Sequence, residues 1–564
     1  MAARKAAKLA RIAYDELPAI LTIDDAMAAD SRFEEGPRIY ARGDAARAIA
    51  DAPHMVEGSF EIGGQEHFYL EGQSAAALPQ EGGDMVVHSS SQHPTEIQHK
   101  VADALGVPMN AVRCEVRRMG GGFGGKESQG NSLAVSCAIA ARLTGRPCAM
   151  RYDRDDDFVI TGKRHDFRID YRAGFDAEGR LAGVEFLQLC RCGWSMDLSL
   201  PVADRAMLHA DNAYFIPNMR IESHRLKTNT QSATAFRGFG GPQGMVGIER
   251  VLDHVAHSVG RDPLAVRQLN YYAPAAAEGP GTGRRFGGKH SPKAAEVAPQ
   301  TTPYGMPVED FILHEMTEHL VETSDYFRRK KAISEWNAAN AILKKGLALT
   351  PVKFGISFTL THLNQAGALV HVYQDGSIHM NHGGTEMGQG LFQKVAQVAA
   401  ARFGVGLERI KITATDTAKV PNTSATAASS GSDMNGMAVR AACDTIRDRL
   451  ADFVAKRAQA DPATVRFADG MVHVGAETLT FDSVVKDAYL ARISLSSTGF
   501  YKTPKVEWDR IKGHGRPFFY FAYGVAATEV VIDTLTGEYR ILRADILHDA
   551  GASLNPAIDI GQIE

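Results

Sequence analysis

Three glycine-rich stretches, far apart along the chain, constrain its fold more than any other feature of the sequence. They read MGGGFGGKE at 119–127, FRGFGGPQ at 236–243 and GGTEMGQG at 383–390. Glycine lets the backbone approach a ligand closely or adopt positive φ. Three such loops, each with a different functional side chain, predict one large, flat, polyanionic ligand that is held from several sides.

The composition excludes several classes of protein. The 564 residues carry a formal net charge of −4, and 44% of them are hydrophobic, as in an ordinary globular protein. This charge predicts neither a nucleic-acid partner nor a membrane surface as partner, and no apolar run approaches the ~20 residues of a membrane span. The first twenty residues are interpreted as a short basic amphipathic helix rather than a targeting segment. The protein is therefore predicted to be cytoplasmic.

The cysteines do not indicate a metal site or a disulfide framework. Six cysteines in a chain of this length are too few for a disulfide scaffold. Cys190 and Cys192 form a C-x-C pair with no second pair at metal-site spacing. We predict that the chain carries no zinc or iron–sulfur site of its own.

Two segments of the chain share one order of elements. Residues 84–118 read as strand, helix, Gly-Val turn and returning strand, and residues 377–416 repeat this order around the third glycine loop. Gly106 and Gly404 fall where each helix would end, which is the usual position of a left-handed cap. We interpret the pair as an internal duplication. It predicts an α+β fold of two related lobes, with the functional site between them.

Residues 274–303 divide the chain between these lobes. The segment holds five prolines and five glycines, which favour a linker or an insertion over a packed element. The first lobe is therefore predicted to span 1–273 and the second lobe 304–564. Within the second lobe, the pattern predicts amphipathic helices near 308–324 and 328–345.

Both ends of the sequence are unusual. After the two predicted helices of the second lobe, a buried strand is predicted to begin at Lys353. The chain finishes with SLNPAIDIGQIE, in which Asn555 and Pro556 are predicted to begin a helix. The sequence stops inside that helix, and Met1 enters directly into another. We therefore expect the chain to be a piece of a longer protein.

Side chains beside the glycine loops are the candidates for chemistry. Arg237 lies within a glycine-rich turn, where its guanidinium can pair with an oxyanion through two bonds. The 383–390 loop precedes a helix, so its backbone N–H groups are expected to form a phosphate site. Glu127 and Glu386 could each act as an acid or a base, although the dipole of a nearby helix also favours a carboxylate. The residues by themselves predict an intracellular α+β enzyme with an anionic cofactor between two lobes.

Seven stretches of the sequence, taken in order, resemble one known family. They are GGQEHFYLE, MGGGFGGKE, TAFRGFGGPQG, KFGISFTLTHLNQAGALVHVY, HGGTEMGQGL, PNTSATAAS and GASLNPAIDIGQIE. Together they resemble the molybdenum-binding part of the xanthine dehydrogenase/oxidase family, over nearly the whole chain apart from residues 274–303. The resemblance implies a molybdenum cofactor, molybdopterin in its simple or dinucleotide form. It also implies 2Fe–2S clusters and FAD on partner domains or a partner subunit, and an oligomer of catalytic units.

The same resemblance implies a hydroxylase that oxidises hypoxanthine and xanthine to urate. Glu127 and Arg205 match the two catalytic residues that bind the polar edges of the purine, a pair that the related aldehyde oxidases typically lack. Phe239 and Phe358 match an aromatic clamp around the flat substrate. Thr359 matches a neighbouring hydrogen-bonding residue.

Contacts to the cofactor are implied in the same way. The resemblance implies no direct protein ligand to the metal. Gln65 matches a residue that hydrogen bonds to an oxygen ligand of the metal, and Phe123 lines the same ligands. The other implied cofactor contacts are Arg237, Gln389, Ala427, Ala428, Ser429 and Gln562.

Two alternatives remain open at this point. One is a hydroxylase of the same architecture that acts on aldehydes or other N-heterocycles. The other is an inactive fragment or scaffold subunit. The family's general base is a glutamate in a Gly-Glu-Pro-Pro stretch, and no such stretch occurs in this sequence. We therefore expect negligible purine hydroxylation from these 564 residues alone.

Overall fold

A computed structural model describes residues 2–274 and 300–564 of the chain. The helices are α1 Ala2–Ala7, α2 Ile23–Ala28, α3 Ala45–Ala50, α4 Pro94–Leu105, α5 Asn131–Thr144, α6 Arg154–Ile160, α7 Ser199–Leu208, α8 Gly241–Ser258, α9 Pro263–Asn270, α10 Leu313–Thr323, α11 Tyr326–Ala339, α12 Leu391–Phe403, α13 Gly431–Ala458, α14 Phe481–Leu490 and α15 Pro556–Ile563. The strands are β1 Arg38–Arg42, β2 His54–Ile62, β3 Ser74–Pro79, β4 Met85–Ser89, β5 Val112–Val116, β6 Cys148–Arg151, β7 Asp166–Phe175, β8 Leu181–Gly193, β9 Met219–Lys227, β10 Leu343–Ile356, β11 Gln365–Val372, β12 Ile378–His382, β13 Ile410–Ile412, β14 Thr415–Asp416, β15 Arg466–Ala468, β16 Met471–Val474, β17 Glu477–Thr480, β18 Ser496–Lys502, β19 Glu507–Asp509, β20 His514–Arg516, β21 Tyr520–Asp533 and β22 Tyr539–His548. This mixture of helices and largely antiparallel sheets confirms the predicted α+β class.

The largest sheet of the first half has the order β1-β9-β8-β7-β2. Strands β7 and β8 form a hairpin, and alternate residues of β7 such as Phe167 and Ile169 are buried, as expected for a strand with one face in the core. Helices α7 and α8 pack against one another on this side of the molecule. The packing places Arg205, near the end of α7, within reach of the second half of the chain.

The two predicted strand–helix–strand units are both present. β4 pairs in parallel with β5 across α4, and β12 pairs in parallel with β13 across α12. The glycines that follow the two helices adopt nearly the same left-handed conformation, with φ of 62° at Gly106 and 63° at Gly404. This conformation favours glycine because a Cβ would be strained there.

The two halves share elements rather than merely touching. The short strand β14, from the second half, joins the sheet β14-β5-β4-β3-β6, whose other strands come from the first half. Arg113 of β5 donates from Nε to Asp416 of β14 over 3.0 Å. In the second half, β10 pairs along its whole length with β21, and residues of both strands enter the hydrophobic core of the first half.

Some predicted boundaries differ from the observed ones. The prediction of a helix over the first twenty residues is wrong beyond Ala7, since residues 10–21 form no regular element and Ile12 and Leu17 are exposed. A short helix without a packed apolar face is marginal in water. Most of the predicted linker, residues 275–299, lies outside the described residues.

The next elements follow the prediction only in part. Helices α10 and α11 confirm two helices after the division. The second ends at Ala339 rather than near 345, and the strand that follows begins at Leu343, well before Lys353. In the two described ranges, 2–274 and 300–564, no helix is both long and apolar enough to cross a bilayer.

Candidate active site

A cavity of about 520 Å³ lies where the three glycine loops meet. Loops from both halves of the chain contribute to its wall, as the duplication predicts. The residues predicted from the sequence that line it are Phe123, Glu127, Arg205, Arg237, Phe239, Gln389, Ala427, Ala428, Ser429 and Gln562. Gln65, Phe358 and Thr359 are not among the lining residues.

Non-glycine residues with left-handed backbone cluster at this cavity. Phe123 has φ of 55°, Phe239 of 50°, and Ala428 and Ser429 of 56° each. A residue with a side chain pays a steric cost at positive φ, and such residues concentrate at ligand sites where the surrounding fold holds them. Their neighbour Gly124, at φ of 100°, has no room for a Cβ, which would lie 2.8 Å from the carbonyl oxygen of Ala235.

The first and second loops are joined directly at Arg237. Its backbone N–H donates to the carbonyl oxygen of Phe123 over 2.9 Å, and its Cζ lies 5.5 Å from the centre of the Phe123 ring. The Arg237 side chain is exposed and forms no hydrogen bond or ion pair with any of the described residues. Its guanidinium is therefore available to an anionic ligand in the cavity.

The third loop is held by its own carboxylate. Glu386 Oε1 accepts from the backbone N–H groups of Gly388 at 2.9 Å and Gly390 at 3.1 Å, and Oε2 accepts from Phe392 at 2.9 Å. These are the donors that the sequence assigned to a phosphate. In this structure these three N–H groups are therefore occupied by Glu386, which bonds the first turn of α12 and does not line the cavity.

Gln389 braces the same loop from its other side. Its Oε1 accepts from the N–H of Met387 at 2.6 Å, and its Nε2 donates to the carbonyl oxygen of Thr385 at 3.0 Å. The side chain thus holds the loop in shape at the cavity wall. The oxygen and the nitrogen of the Gln389 amide each have a protein partner. A ligand can therefore bond only to the second lone pair of Oε1 or to the second hydrogen of Nε2.

A glutamine that the sequence analysis missed lies at the centre of the cavity wall. Gln92 Oε1 accepts from the N–H of Gly124 at 2.9 Å, and its Nε2 donates to the carbonyl oxygen of Thr426 at 3.0 Å. Gln92 therefore connects the two halves across the cavity. Its position just after β4, before a proline-initiated helix, is a signal that could have identified it, because ligands bind at the carboxyl ends of strands.

Gln65 lies elsewhere. It is exposed, and its Oε1 accepts from Arg164 Nε over 2.6 Å. Gln65 is not among the residues that line this cavity, so its contact with an oxygen ligand of the metal stays a prediction.

Glu127 presents a buried carboxyl group to the cavity. Its side chain is 7% exposed and has no hydrogen-bond or ion-pair partner among the described residues. Burial, with a smaller contribution from the neighbouring charge of Asp197, raises the pKa of Glu127 to about 8. The carboxyl group is therefore mostly protonated at neutral pH and can donate a hydrogen bond.

Arg205 presents a buried cation to the same cavity. Its Nη1 donates to the carbonyl oxygen of Ser357 over 2.8 Å, and its Nη2 donates to that of Gly355. In the described part of the chain no carboxylate lies within ion-pair distance, and burial lowers the pKa of Arg205 to about 9. The remaining N–H groups of a charged guanidinium without a counter-ion favour a ligand with an electron-rich polar edge.

Two aromatic rings complete this end of the cavity, but one differs from the prediction. Phe239 lines the cavity as predicted, together with Phe354, whose ring centre lies 4.8 Å from Arg205 Cζ. Phe358 is packed in the core of the second half, where Asn364 bonds both its N–H and its carbonyl oxygen. The neighbouring Thr359 is buried, and its Oγ1 donates to the carbonyl oxygen of Pro201 at 3.4 Å.

The cavity therefore fits an anionic, flat cofactor beside a flat substrate. Glycine backbone forms one wall, and a Cβ at Gly122 would lie 2.6 Å from Gln92 Oε1 and 2.9 Å from Met387 Sδ. Arg237 supplies an exposed cation to the wall, and Glu127, Arg205, Phe239 and Phe354 line the same cavity.

A separate cluster brings together His165, Cys190 and Cys192, with ligand atoms within 4.8 Å of one another. The sequence analysis made no prediction for His165. His165 Nε2 lies 2.8 Å from Ser199 Oγ, and the Cys192 thiol donates to the carbonyl oxygen of Cys190. All three side chains are buried, and the cluster is separate from the cavity.

Two segments of the chain match two protein-family models that share one description. Residues 32–271 and residues 319–564 each match a family described as "Molybdopterin cofactor-binding domain". Among curated proteins, the chain is 42% identical to "Xanthine dehydrogenase" of Drosophila subobscura and 43% identical to "Xanthine dehydrogenase/oxidase" of Felis catus, in each case over 100% of this chain. The chain spans 39% of the length of each of these relatives.

Solved structures have the same fold. "Quinoline 2-Oxidoreductase from Pseudomonas Putida 86" superposes with a TM-score of 0.82 at 22% identity, over 100% of this chain and 70% of that one. "Aldehyde Oxidoreductase from Desulfovibrio gigas" gives a TM-score of 0.82 at 26% identity, over 100% of this chain and 57% of that one. At these identities the likeness shows a shared fold. Which substrate the cavity accepts has to be argued from the geometry of the cavity itself.

Proposed function

The chain belongs to the molybdopterin cofactor-binding domains of the xanthine dehydrogenase/oxidase family, and on that premise we propose that it forms the purine-oxidising centre of a molybdenum hydroxylase. The substrates are hypoxanthine and xanthine, and the product is urate. The observation that carries this proposal is the pairing of a neutral buried acid, Glu127, with an unpaired buried cation, Arg205, at one cavity.

We propose that the cofactor lies along the part of the cavity wall that contains Phe123 and Arg237. Gln92, Phe123 and Arg237 are the residues best placed to hold it, with Ala427, Ala428, Ser429, Gln389 and Gln562 along its length. Arg237 meets the anionic end of the cofactor, because its guanidinium has no protein counter-ion among the described residues. When bound, the molybdenum cofactor supplies the two-electron oxidation.

The purine lies between Phe239 and Phe354. Aromatic faces around a flat ring contribute about 0.5–1.5 kcal/mol for each contact beyond burial and limit its orientations. Protonated Glu127 donates a hydrogen bond to a ring nitrogen or carbonyl oxygen. Arg205 binds the opposite polar edge and stabilises negative charge that develops on a ring oxygen, which favours the transition state over the ground state.

Electrons leave this centre through other parts of the enzyme. We propose 2Fe–2S clusters and FAD, on partner domains or a partner subunit, with NAD or oxygen as the final acceptor. The family's general base is a glutamate of a Gly-Glu-Pro-Pro stretch that this sequence lacks. The 564 residues alone are therefore expected to bind purine without turning it over.

The first test is the cofactor and substrate content of the purified chain. After expression in a host that makes molybdopterin, we expect near-stoichiometric molybdenum and pterin. Equilibrium titration should then give a dissociation constant for xanthine at least about tenfold lower than that for benzaldehyde, a difference of roughly 1.4 kcal/mol. Absence of pterin would contradict the proposed cofactor role. Tighter binding of benzaldehyde would favour the alternative, an aldehyde hydroxylase of the same architecture.

A further inference from the structure

His209 lies one helical turn after Arg205 and contacts the two segments that carry the purine end of the cavity. It is 1% exposed. Its Nδ1 lies 2.9 Å from the carbonyl oxygen of Arg205, and its Nε2 lies 3.0 Å from the backbone nitrogen of Gly355. One imidazole ring therefore connects the end of α7 with strand β10.

These two contacts determine which ring nitrogen carries the proton. A backbone N–H can only donate, so Nε2 must accept from Gly355 and carry no hydrogen. The proton is then on Nδ1, which donates to the Arg205 carbonyl oxygen. A doubly protonated ring would place a hydrogen on Nε2 against the N–H of Gly355, which leaves two donors facing each other without an acceptor. Burial and the nearby charges of Arg205 and Lys353 hold the pKa of His209 well below its usual range, which keeps the ring neutral.

The same residues close a ring of hydrogen bonds. His209 accepts from the N–H of Gly355, and the carbonyl oxygen of Gly355 accepts in turn from Arg205 Nη2. Arg205 Nη1 donates to Ser357 further along the chain. The guanidinium is thus held against the segment whose position His209 sets.

The aromatic wall depends on the same ring. The centre of the His209 imidazole lies 4.8 Å from that of Phe354 and 5.2 Å from that of Phe518. Arg205 Cζ lies 4.8 Å and 5.2 Å from the same two rings. His209 therefore packs beside Arg205 between two rings, one of which lines the cavity.

We propose that His209 is a positioning residue, which fixes the guanidinium of Arg205 and the ring of Phe354 for purine recognition by acting as a neutral, Nδ1-protonated link between α7 and β10. This inference rests on the proposed function of the cavity. It assigns no contact between His209 and the substrate. Its effect reaches the purine through Arg205 and Phe354.

Three substitutions separate the two hydrogen bonds from the packing. His209→Gln places an amide oxygen near the position of Nε2 and can still accept from Gly355. His209→Asn retains a donor near Nδ1 but does not reach Gly355. His209→Phe retains the aromatic packing and loses both bonds. His314→Phe is the matched control. His314 Nε2 lies 2.9 Å from the carbonyl oxygen of Tyr272, and His314 does not line the cavity.

The measurements are made on the cofactor-loaded protein. For His209→Asn and His209→Phe we expect a loss of about tenfold or more in xanthine affinity, the scale of one misplaced charged hydrogen bond. His209→Gln should stay within about threefold of the parent protein, and so should His314→Phe. Molybdenum content should be unchanged in all four variants.

A direct readout does not depend on activity. Nitrogen-15 NMR of histidine-labelled protein should place His209 in the neutral Nδ1-protonated form, with the resonance assigned by its loss in His209→Asn. An Nε2-protonated or charged ring would overturn the inference, as would xanthine binding in His209→Phe equal to that of the parent. Parent protein that loads cofactor and fails to bind xanthine would instead contradict the proposed function, while the NMR result would still decide the hydrogen-bond link.

Discussion

Glu127 is a buried acid that lines the cavity, and protonation removes the charge that burial disfavours. Its pKa is raised to about 8 mainly because burial disfavours the carboxylate. In the unfolded chain the group titrates near the model value of 4.5. Between these values the folded protein binds the proton more tightly than the unfolded chain, so this residue costs stability as the pH rises from about 4.5 through 8.

Replacing this acid with a neutral amide should remove that cost. We expect Glu127→Gln to be similar in stability to the parent near pH 5 and progressively more stable than the parent towards pH 8, with a slope approaching about 1.4 kcal/mol per pH unit. Urea unfolding at a series of pH values measures the difference. Glu57→Gln, at an exposed position, controls for the loss of one carboxyl group. A stability difference that shrinks as the pH rises would contradict the buried, protonated acid.

Replacing Arg205 should weaken purine binding and leave cofactor content unchanged. We expect Arg205→Met to weaken xanthine binding by roughly 10-fold to 100-fold, because hydrogen bonds to a charged group contribute about 1.5–3 kcal/mol. Molybdenum and pterin content should persist, since Arg205 is held by the carbonyl oxygens of Gly355 and Ser357. Arg237→Met should do the reverse and lower pterin retention. Equal xanthine affinity in Arg205→Met and the parent would remove the residue from the purine site.

At the scale of the elements, the position of Arg205 depends on how closely α7 and α8 approach. Gly244 of α8 faces the backbone of α7, and a Cβ there would lie 2.1 Å from the carbonyl oxygen of Ala206. Gly247, one turn further along, has room, since its nearest atom would be Ile169 Cδ1 at 3.5 Å. The two glycines thus form a matched pair on one helix.

Alanine at these two positions should have opposite effects. We expect Gly244→Ala to destabilise the protein by about 1–3 kcal/mol, because backbone must move to admit the methyl group, and to weaken xanthine binding by displacing α7. Gly247→Ala should be neutral or stabilising by up to roughly 1 kcal/mol, the helix preference for alanine over glycine. Urea unfolding and xanthine titration measure both effects. Comparable stability of the two variants would show that α7 and α8 do not pack this closely.

Elements that depend on local signals were the ones that the sequence predicted well. The duplicated strand–helix–strand units were visible because Gly106 and Gly404 mark both helix ends. The N-terminal helix was overestimated, because an amphipathic pattern does not supply a surface to pack against. The start of β10 was misplaced, because the strand takes its length from pairing with β21, a contact far away in sequence.

The cavity was predicted in outline and missed in detail for the same reason. The glycine loops carry their own signal, and the family resemblance identified ten of the lining residues. Which of Phe354 and Phe358 faces the cavity depends on how Asn364 holds the loop after β10. Glu386 became a helix cap because three backbone N–H groups converge on it, a geometry that no spacing in the sequence reports.

At the scale of the whole molecule, buried charges tie the two halves together. Lys353 of β10 and Asp211, which follows α7, form an ion pair of 3.2 Å with both side chains 1% exposed. Tyr272 donates to the same Asp211 carboxylate over 2.6 Å, and the Lys353 ammonium lies 4.2 Å from the centre of the Phe521 ring. Both partners are desolvated, so each charge relies on the other.

Breaking this pair from one side should therefore destabilise both halves at once. We expect Lys353→Met to cost about 3–5 kcal/mol, because it leaves the Asp211 charge buried without a cation. Lys353→Met combined with Asp211→Asn should recover much of the loss, since the amide oxygen can still accept from Tyr272. Unfolding followed by circular dichroism and by tryptophan fluorescence, with Trp194 in the first half and Trp336 and Trp508 in the second, should give coincident transitions for parent and variants. Two separate transitions, or a double variant less stable than Lys353→Met, would mean that the halves fold as independent units and that the cavity between them is assembled only by docking.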